Sequence, residues 1–279
     1  MSAVSSSAEL SELGTAVAES ARVVPASWLR GRRGTRLLER NYTVFRRYSW
    51  TVVLSGFFEP LFYLLSIGKG LGTLVGGIHG VTYAQYVAPA LLATSAMNGA
   101  IYESSMNIFY KLKYAKTYDA ILSTPMSVGD VALGEIGWAL IRGGLYAIGF
   151  LVVMALFGLW VSPWLILAFP AALLVGFAFA AVGMAATSFM RTWQDFDLIQ
   201  LVILPLFLFS ATFYPLETYP ETLQWIVRVT PLYQGVDLIR SLAVGAISPV
   251  LLVHVVYLTV MGLIGLAVTN RRLGKLLLK

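Results

Sequence analysis

Apolar runs close to the length of a membrane crossing recur six times along this chain, and that recurrence restricts the fold more than any motif does. An α-helix rises ~1.5 Å per residue, so ~20 apolar residues cover the ~30 Å hydrocarbon core of a bilayer. The runs predict spans at about Trp50–Ile67, Tyr83–Ile108, Val131–Leu159, Trp164–Met190, Leu198–Tyr214 and Pro249–Val268. The chain is 58% hydrophobic and 12% charged, whereas soluble domains carry ~25% charged residues. A water-soluble core of this oiliness would leave too much apolar surface exposed, so the solvent is lipid. A closed β-barrel would instead show ~10-residue segments of alternating polarity, which are not seen. The expected fold is an all-α membrane protein with six transmembrane helices in residues 50–268.

Charge placement predicts the topology. Of the 20 lysines and arginines, sixteen fall in the proposed inside segments, three in outside segments (Lys69, Arg228, Arg240), and Arg142 falls within a span. That bias puts both termini on the cytoplasmic side. The formal net charge of +6 therefore reads as membrane topology, not as nucleic-acid binding. Residues 1–32 carry Glu9, Glu12 and Glu19 without a basic start or a compact apolar run, so they are expected to be a flexible cytoplasmic tail, not a cleavable signal. Residues 269–279 read as a basic cytoplasmic tail. Within 33–49, Arg36, Arg40 and Arg47 share one face and Leu37, Leu38, Val44 and Phe45 the other. This is an amphipathic interfacial helix, suited to anchoring on an anionic leaflet or to docking a partner.

The longest internal polar island is 109–130, FYKLKYAKTYDAILSTPMSVGD. Tyr118, Ile121 and Leu122 lie at i, i+3 and i+4, giving a short helix one apolar edge. Lys111, Lys113, Lys116 and Asp119 are expected in water. Pro125 stops this helix, and Ser127 with Asp130 reads as the capping box of the next. Such a helix fits either a handle for a soluble partner or a solvated connector. Residues 215–248 are too interrupted to cross a bilayer. Pro220 and Pro231 divide them into helices expected at Glu221–Val229 and Leu232–Ala246, a re-entrant outer pair or an ordinary surface loop.

Glu59, Glu103, Glu135 and Arg142 interrupt the apolar runs, and each must face protein, a pore or the headgroups. Glu103 and Glu135 are close enough to the cytoplasmic side to reach water. Arg142, two turns beyond Glu135, is expected to pair with another span. Inter-span pairing, substrate contact and proton coupling all remain open for Glu59 and Arg142, as does a substrate path lined by Tyr63, Tyr83 and Tyr86. The chain has no cysteine, and its two histidines, His79 and His254, lie in different segments, so no metal cluster is expected. No G-x-x-x-x-G-K-[ST] phosphate loop and no G-x-S-x-G elbow occurs. Without a catalytic cluster the chain does not read as an enzyme, and its energy must come from a partner or from an ion gradient.

Three blocks resemble the membrane subunit of a bacterial type-2 ABC exporter: FFEPLFYLLSIGKGLG (57–72), YDAILSTPMSVGDVALGE (118–135) and FYPLETYPETLQWIVRVTPLYQGVDLIR (213–240). The likeness runs from about Arg33 to the end and is strongest to permeases of nodulation lipo-oligosaccharide and daunorubicin-type drug exporters. It implies a multi-pass permease of the bacterial inner membrane. Two copies, or two unlike permease subunits, would pair with two ABC ATPase subunits, which would carry ATP and magnesium; this chain would hold no cofactor. The implied cargo is amphipathic: lipo-oligosaccharide, lipid or hydrophobic drug. The resemblance implies an ATPase-coupling helix at Tyr118, Asp119, Ile121, Leu122, Ser123, Thr124 and Pro125. It likewise implies an outer gate including Pro215, Pro231, Tyr233, Gln234, Asp237 and Arg240. Gln234 stands where the family carries a histidine, so no imidazole role is expected at that position. The alternative is a secondary transporter or channel that uses Glu59 or Arg142 with an ion gradient.

Overall fold

The computed structural model describes residues 34–75 and 77–277; the expected tail at 1–32 lies outside them. The first element, α1 (Gly34–Tyr63), is one helix of 30 residues. A separate interfacial helix ending at 49 was expected, yet no break occurs there. The physical reason is local: residues 35–55 contain neither glycine nor proline to stop the helix. The buried face of α1, with Leu37 and Asn41, lies along α6 (Val128–Leu156). Gly134 permits that approach, since a Cβ there would come within 2.8 Å of Leu37 Cδ2 and 2.9 Å of its Cβ. Further along, Phe45 meets Trp138 edge-on at 5.4 Å.

After α1 come π-helical turns (Leu64–Leu71), the short α2 (Gly72–Val75) and a two-stranded hairpin, β1 (Gly77–Ile78) with β2 (Val81–Thr82). Thr82 and Gln85 form a capping box that starts α3 (Tyr83–Tyr102). A π-helical segment, Glu103–Asn107, carries α3 into α4 (Ile108–Lys113). Lys116, at φ 45°, turns the chain into α5 (Thr117–Leu122). Ser127 and Asp130 then make the expected capping box of α6.

Pro163–Leu167 is a 3-10 turn leading into α7 (Ala168–Thr187). Next are α8 (Asp195–Leu208), α9 (Glu221–Val229), α10 (Pro231–Val244) and α11 (Val250–Leu277). The two helices expected between 215 and 248 are thus present as α9 and α10. The supposed tail after residue 268 is instead helical as far as Leu277, as a continuous extension of α11. Among the described residues, three segments are long and apolar enough to cross a membrane: Val128–Leu156, Pro163–Thr187 and Val250–Leu277. By contrast α8, with 14 residues, is only ~21 Å long.

The bundle is organised on α7, which packs against α3, α6, α10 and α11. Ala168, Ala178, Ala180 and Ala181 are fully buried, and small side chains let neighbouring backbones come close. A Cβ on Gly265 of α11 would lie 2.8 Å from both Ala181 C and Val182 N, main-chain atoms that cannot swing aside.

Candidate functional site

Glu135, on the second turn of α6, collects side chains from three other elements. Lys111 of α4 donates to both carboxylate oxygens, at 2.9 and 2.8 Å. Tyr118 of α5 donates its hydroxyl at 3.2 Å, and Asn41 of α1 donates Nδ2 at 3.3 Å. The carboxylate is not in water, since Glu135 is 3% exposed and Tyr118 0%. Burial, then the Glu135 charge, pushes the Tyr118 phenol well above the ordinary tyrosine range. Lys111, expected in water, is drawn inward by this pairing; its side chain is only 12% exposed.

Glu103 is buried too, and it takes up Arg142. The guanidinium Nη1 lies 2.5 Å from Glu103 Oε2, Nη2 donates to the Tyr146 hydroxyl at 3.2 Å, and Asn107 donates to Glu103 Oε1 at 2.5 Å. Arg142 therefore reaches the segment that prolongs α3. The side chains of Arg47 and Glu59 lie outside the described residues. Arg36 forms an exposed pair with Glu39 at 3.3 Å, and Arg40 is also exposed.

In α5 the apolar edge turns inward. Tyr118 is buried, and Ile121 and Leu122 pack partly buried against the bundle core. The outward face of this helix and of the turn after it consists of Asp119, Ala120, Ser123, Thr124 and Pro125. Glu135 takes the Tyr118 hydroxyl, and the core covers part of Ile121 and Leu122.

At the other end of the bundle, the chain leaves α8 and runs irregularly through 209–214. Side chains meet the last carbonyls of α8 and two carbonyls of this stretch. Ser210 donates to Leu206 O at 2.5 Å, Thr212 to Phe207 O at 3.0 Å and Tyr219 to Leu208 O at 3.3 Å. Arg240 of α10 donates to Ala211 O at 2.7 Å, Thr212 O at 3.3 Å and Tyr86 O at 3.2 Å, with its guanidinium 3.9 Å above the Tyr86 ring. Such coverage is what irregular backbone needs where water is scarce.

Pro231 begins α10, where its missing N–H costs nothing. Gln234 donates to Arg228 O at 2.5 Å, while its Oε1 meets His254 Nδ1 of α11. His254 Nε2 sits 3.0 Å from Asp237 Oδ2, at ion-pair distance but without hydrogen-bond alignment. An imidazole is thus present beside Gln234 after all, supplied by α11. Pro215 leads into the 3-10 turn Leu216–Thr218, and Tyr233 is half-buried nearby. Tyr83 and Tyr86 are core residues, 3% and 5% exposed, and do not line a path.

A cavity of about 450 Å³ opens between α3 and α8, with Tyr63 of α1 and Phe150 of α6 in its wall. Sequence reasoning missed its polar lining, Asn98 and Gln200 among it. A search for charges passes over uncharged amides; a search for any strong hydrogen-bonding group inside an apolar run would have found both. Asn41 was missed for the same reason.

The family model for the ABC-2 type transporter matches residues 35–244. The chain belongs to that family. It is 36% identical over 219 residues to Nodulation protein J of Rhizobium meliloti (strain 1021), covering 77% of this chain and 81% of the relative. To Nodulation protein J of Rhizobium leguminosarum bv. viciae it is 32% identical over 241 residues, covering 84% and 92%. To the inner membrane transport permease YadH of Escherichia coli (strain K12) it is 26% identical over 174 residues, covering 61% and 66%. The likeness therefore extends over most of the chain, and the protein is a membrane permease of this family.

Proposed function

We propose that this permease is the membrane half of an ATP-driven exporter for an amphipathic substrate such as a lipo-oligosaccharide, lipid or hydrophobic drug. Two permease chains, like or unlike, work with two ABC ATPase subunits that hold ATP and magnesium. In this reading α1, α3, α6, α7, α8 together with the stretch 209–214, and α11 make six crossings of the bacterial inner membrane, with both termini and the Glu135 end in the cytoplasm. The charge bias of the sequence supports that orientation. The α9–α10 pair and its Arg240 clamp then form the outer gate, and α5 is the coupling helix.

The observation that carries the reading is the convergence on Glu135. A push on α5 from an ATPase reaches α6 through Tyr118–Glu135, and α4 through Lys111 on the same carboxylate. From α4 the helix runs on into α3, so one contact moves two spans together. The outward face of α5 and of the turn after it, with Asp119, Ala120, Ser123, Thr124 and Pro125, is the surface offered to the ATPase.

The test is co-purification and nucleotide-dependent uptake in inverted vesicles, with the candidate ATPase present or withheld. Ala120→Arg and Thr124→Arg on the outward face should abolish ATPase capture while the permease stays folded. Transport by the purified chain without an ATPase would overturn the reading in favour of a gradient-driven carrier.

A further inference from the structure

We infer that the groove between α7 and α11 binds one anionic phospholipid of the cytoplasmic leaflet, with an acyl chain along the groove and the phosphate on Arg272. The inference takes only the orientation of the chain from the export reading and otherwise stands apart from it.

The groove, of about 890 Å³, is apolar along its length. Tyr257 brings the only polar side-chain group of its lining, and that hydroxyl is already donated to Val229 O at 2.8 Å. Val256, Val260, Ile264 and Val268 follow one another at four-residue spacing and form a single stripe on α11. The next position of that stripe is Arg272. On the other wall, Val182 and Ala185 of α7 lead to Phe189, one turn further on. The two stripes meet there, with the Arg272 guanidinium 4.0 Å above the exposed Phe189 ring. From Arg272 back to Val260 the stripe measures ~18 Å, about one leaflet, half of the ~30 Å core with a head added. A Cβ on Gly129, at the start of α6, would lie 3.6 Å from Asn270 Oδ1. The basic end of the groove is therefore the Glu135 end of the molecule, cytoplasmic in the proposed topology.

The cations at this end are unspent. Arg271 and Lys275 are exposed and Arg272 is half-buried. Among the described residues none of the three makes a hydrogen bond or an ion pair, and the buried Arg272 Nε–H meets no acceptor. The helix macrodipole and the topology bias account for basic residues near the end of α11. Neither accounts for a guanidinium seated over an exposed ring at the mouth of an apolar groove. A phosphate supplies the missing acceptors in the fork geometry that suits arginine. Basic pockets between spans on the cytoplasmic side take anionic lipid heads for this reason. A zwitterionic head would bring its own cation against Arg271 and Lys275. A neighbouring transmembrane helix would cover the apolar stripe but leave Arg272 without an anion.

The test is native mass spectrometry of the full chain with its ATPase, titrated with dipalmitoyl phosphatidylglycerol, with phosphatidylcholine of the same chains, or with glycerol phosphate. Phosphatidylglycerol should fill one site per permease chain and bind about tenfold more tightly than phosphatidylcholine, the worth of a charge-assisted hydrogen bond. Glycerol phosphate, which has the anion without the chains, should not compete. Arg272→Gln should weaken phosphatidylglycerol about tenfold, whereas Lys113→Gln, an exposed cation on α4, should leave it unchanged. Val260→Trp fills the groove without touching a charge and should weaken the same lipid. Equal binding of the two lipids, full competition by glycerol phosphate, or an Arg272→Gln chain that binds like the Lys113→Gln chain would each overturn the site. The protein has no cysteine, so Ile264→Cys places a single thiol in the groove. A disulfide-linked pair of chains on mild oxidation would put a second copy there and overturn the lipid as occupant. ATPase capture is scored on the same preparations; its loss with lipid selectivity intact would count against the export reading and support this site.

Discussion

Glu135 draws its partners from side chains on three other elements, whereas Arg240 directs its donors at main-chain carbonyls of α3 and of the segment after α8. The two ends of the bundle are therefore closed by different kinds of bond. A side-chain knot ties α1, α4 and α5 to α6 through one carboxylate, so in the proposed mechanism a displacement of one is passed to the others. A clamp on carbonyls fixes the shape of a stretch that has no regular structure of its own. Actuation suits the first arrangement and a gate frame the second.

The strongest way to break this comparison is to remove the knot's centre. Glu135→Ala leaves Lys111 nearly buried without its counter-charge and orphans the donors of Asn41 and Tyr118. Removing one partner of a buried pair costs about 3–5 kcal/mol, read as a large fall in thermal midpoint in detergent. Replacing both charges with apolar residues, Lys111→Met with Glu135→Leu, should recover most of that stability while uncoupling transport from ATP hydrolysis. If the double variant still transports normally, the knot is scaffold and not linkage.

A smaller effect is expected at the other end. Arg240→Lys keeps the charge but cannot reach three carbonyls in three directions or lie flat on Tyr86. Orphaned buried carbonyls cost about 1–3 kcal/mol. Hydrogen exchange should accelerate in residues 209–214 and leave the amides of α5 unchanged. Acceleration spread evenly over both ends would mean that the clamp and the knot are one unit.

The sequence made some of this legible. Proline spacing marked α9 and α10, because proline cannot sit in a helix interior without cost, and Ser127–Asp130 marked the start of α6 because a capping box is a local device. That Arg142 pairs outside its own span was legible, but which residue it meets was not, and neither were the pairs Asn41–Glu135 and Lys111–Glu135, separated by 94 and 24 residues. Such pairs depend on how the helices pack, which periodicity along one helix does not specify. The same limit misassigned Lys111 to water. Local amphipathicity tells that a face is covered, not what covers it.

The subtlest effect sharpens the comparison by pH. Tyr118→Phe removes one hydroxyl from the knot and should cost only about 1 kcal/mol near neutrality, one hydrogen bond to a carboxylate that keeps its lysine. The phenol's folded pKa lies above its ordinary value of 10.0, first through burial and then through Glu135. Between the unfolded and the folded value the native state therefore holds the proton that the unfolded chain has released, so stability is full below about pH 10 and falls as pH rises further. Unfolding midpoints followed from pH 8 to above pH 10 should thus decline more steeply for the unaltered protein than for the phenylalanine variant, and the two curves should converge. Parallel curves would mean that Tyr118 ionises in the folded state as freely as in the unfolded chain, and that α5 is not seated on Glu135 through its hydroxyl.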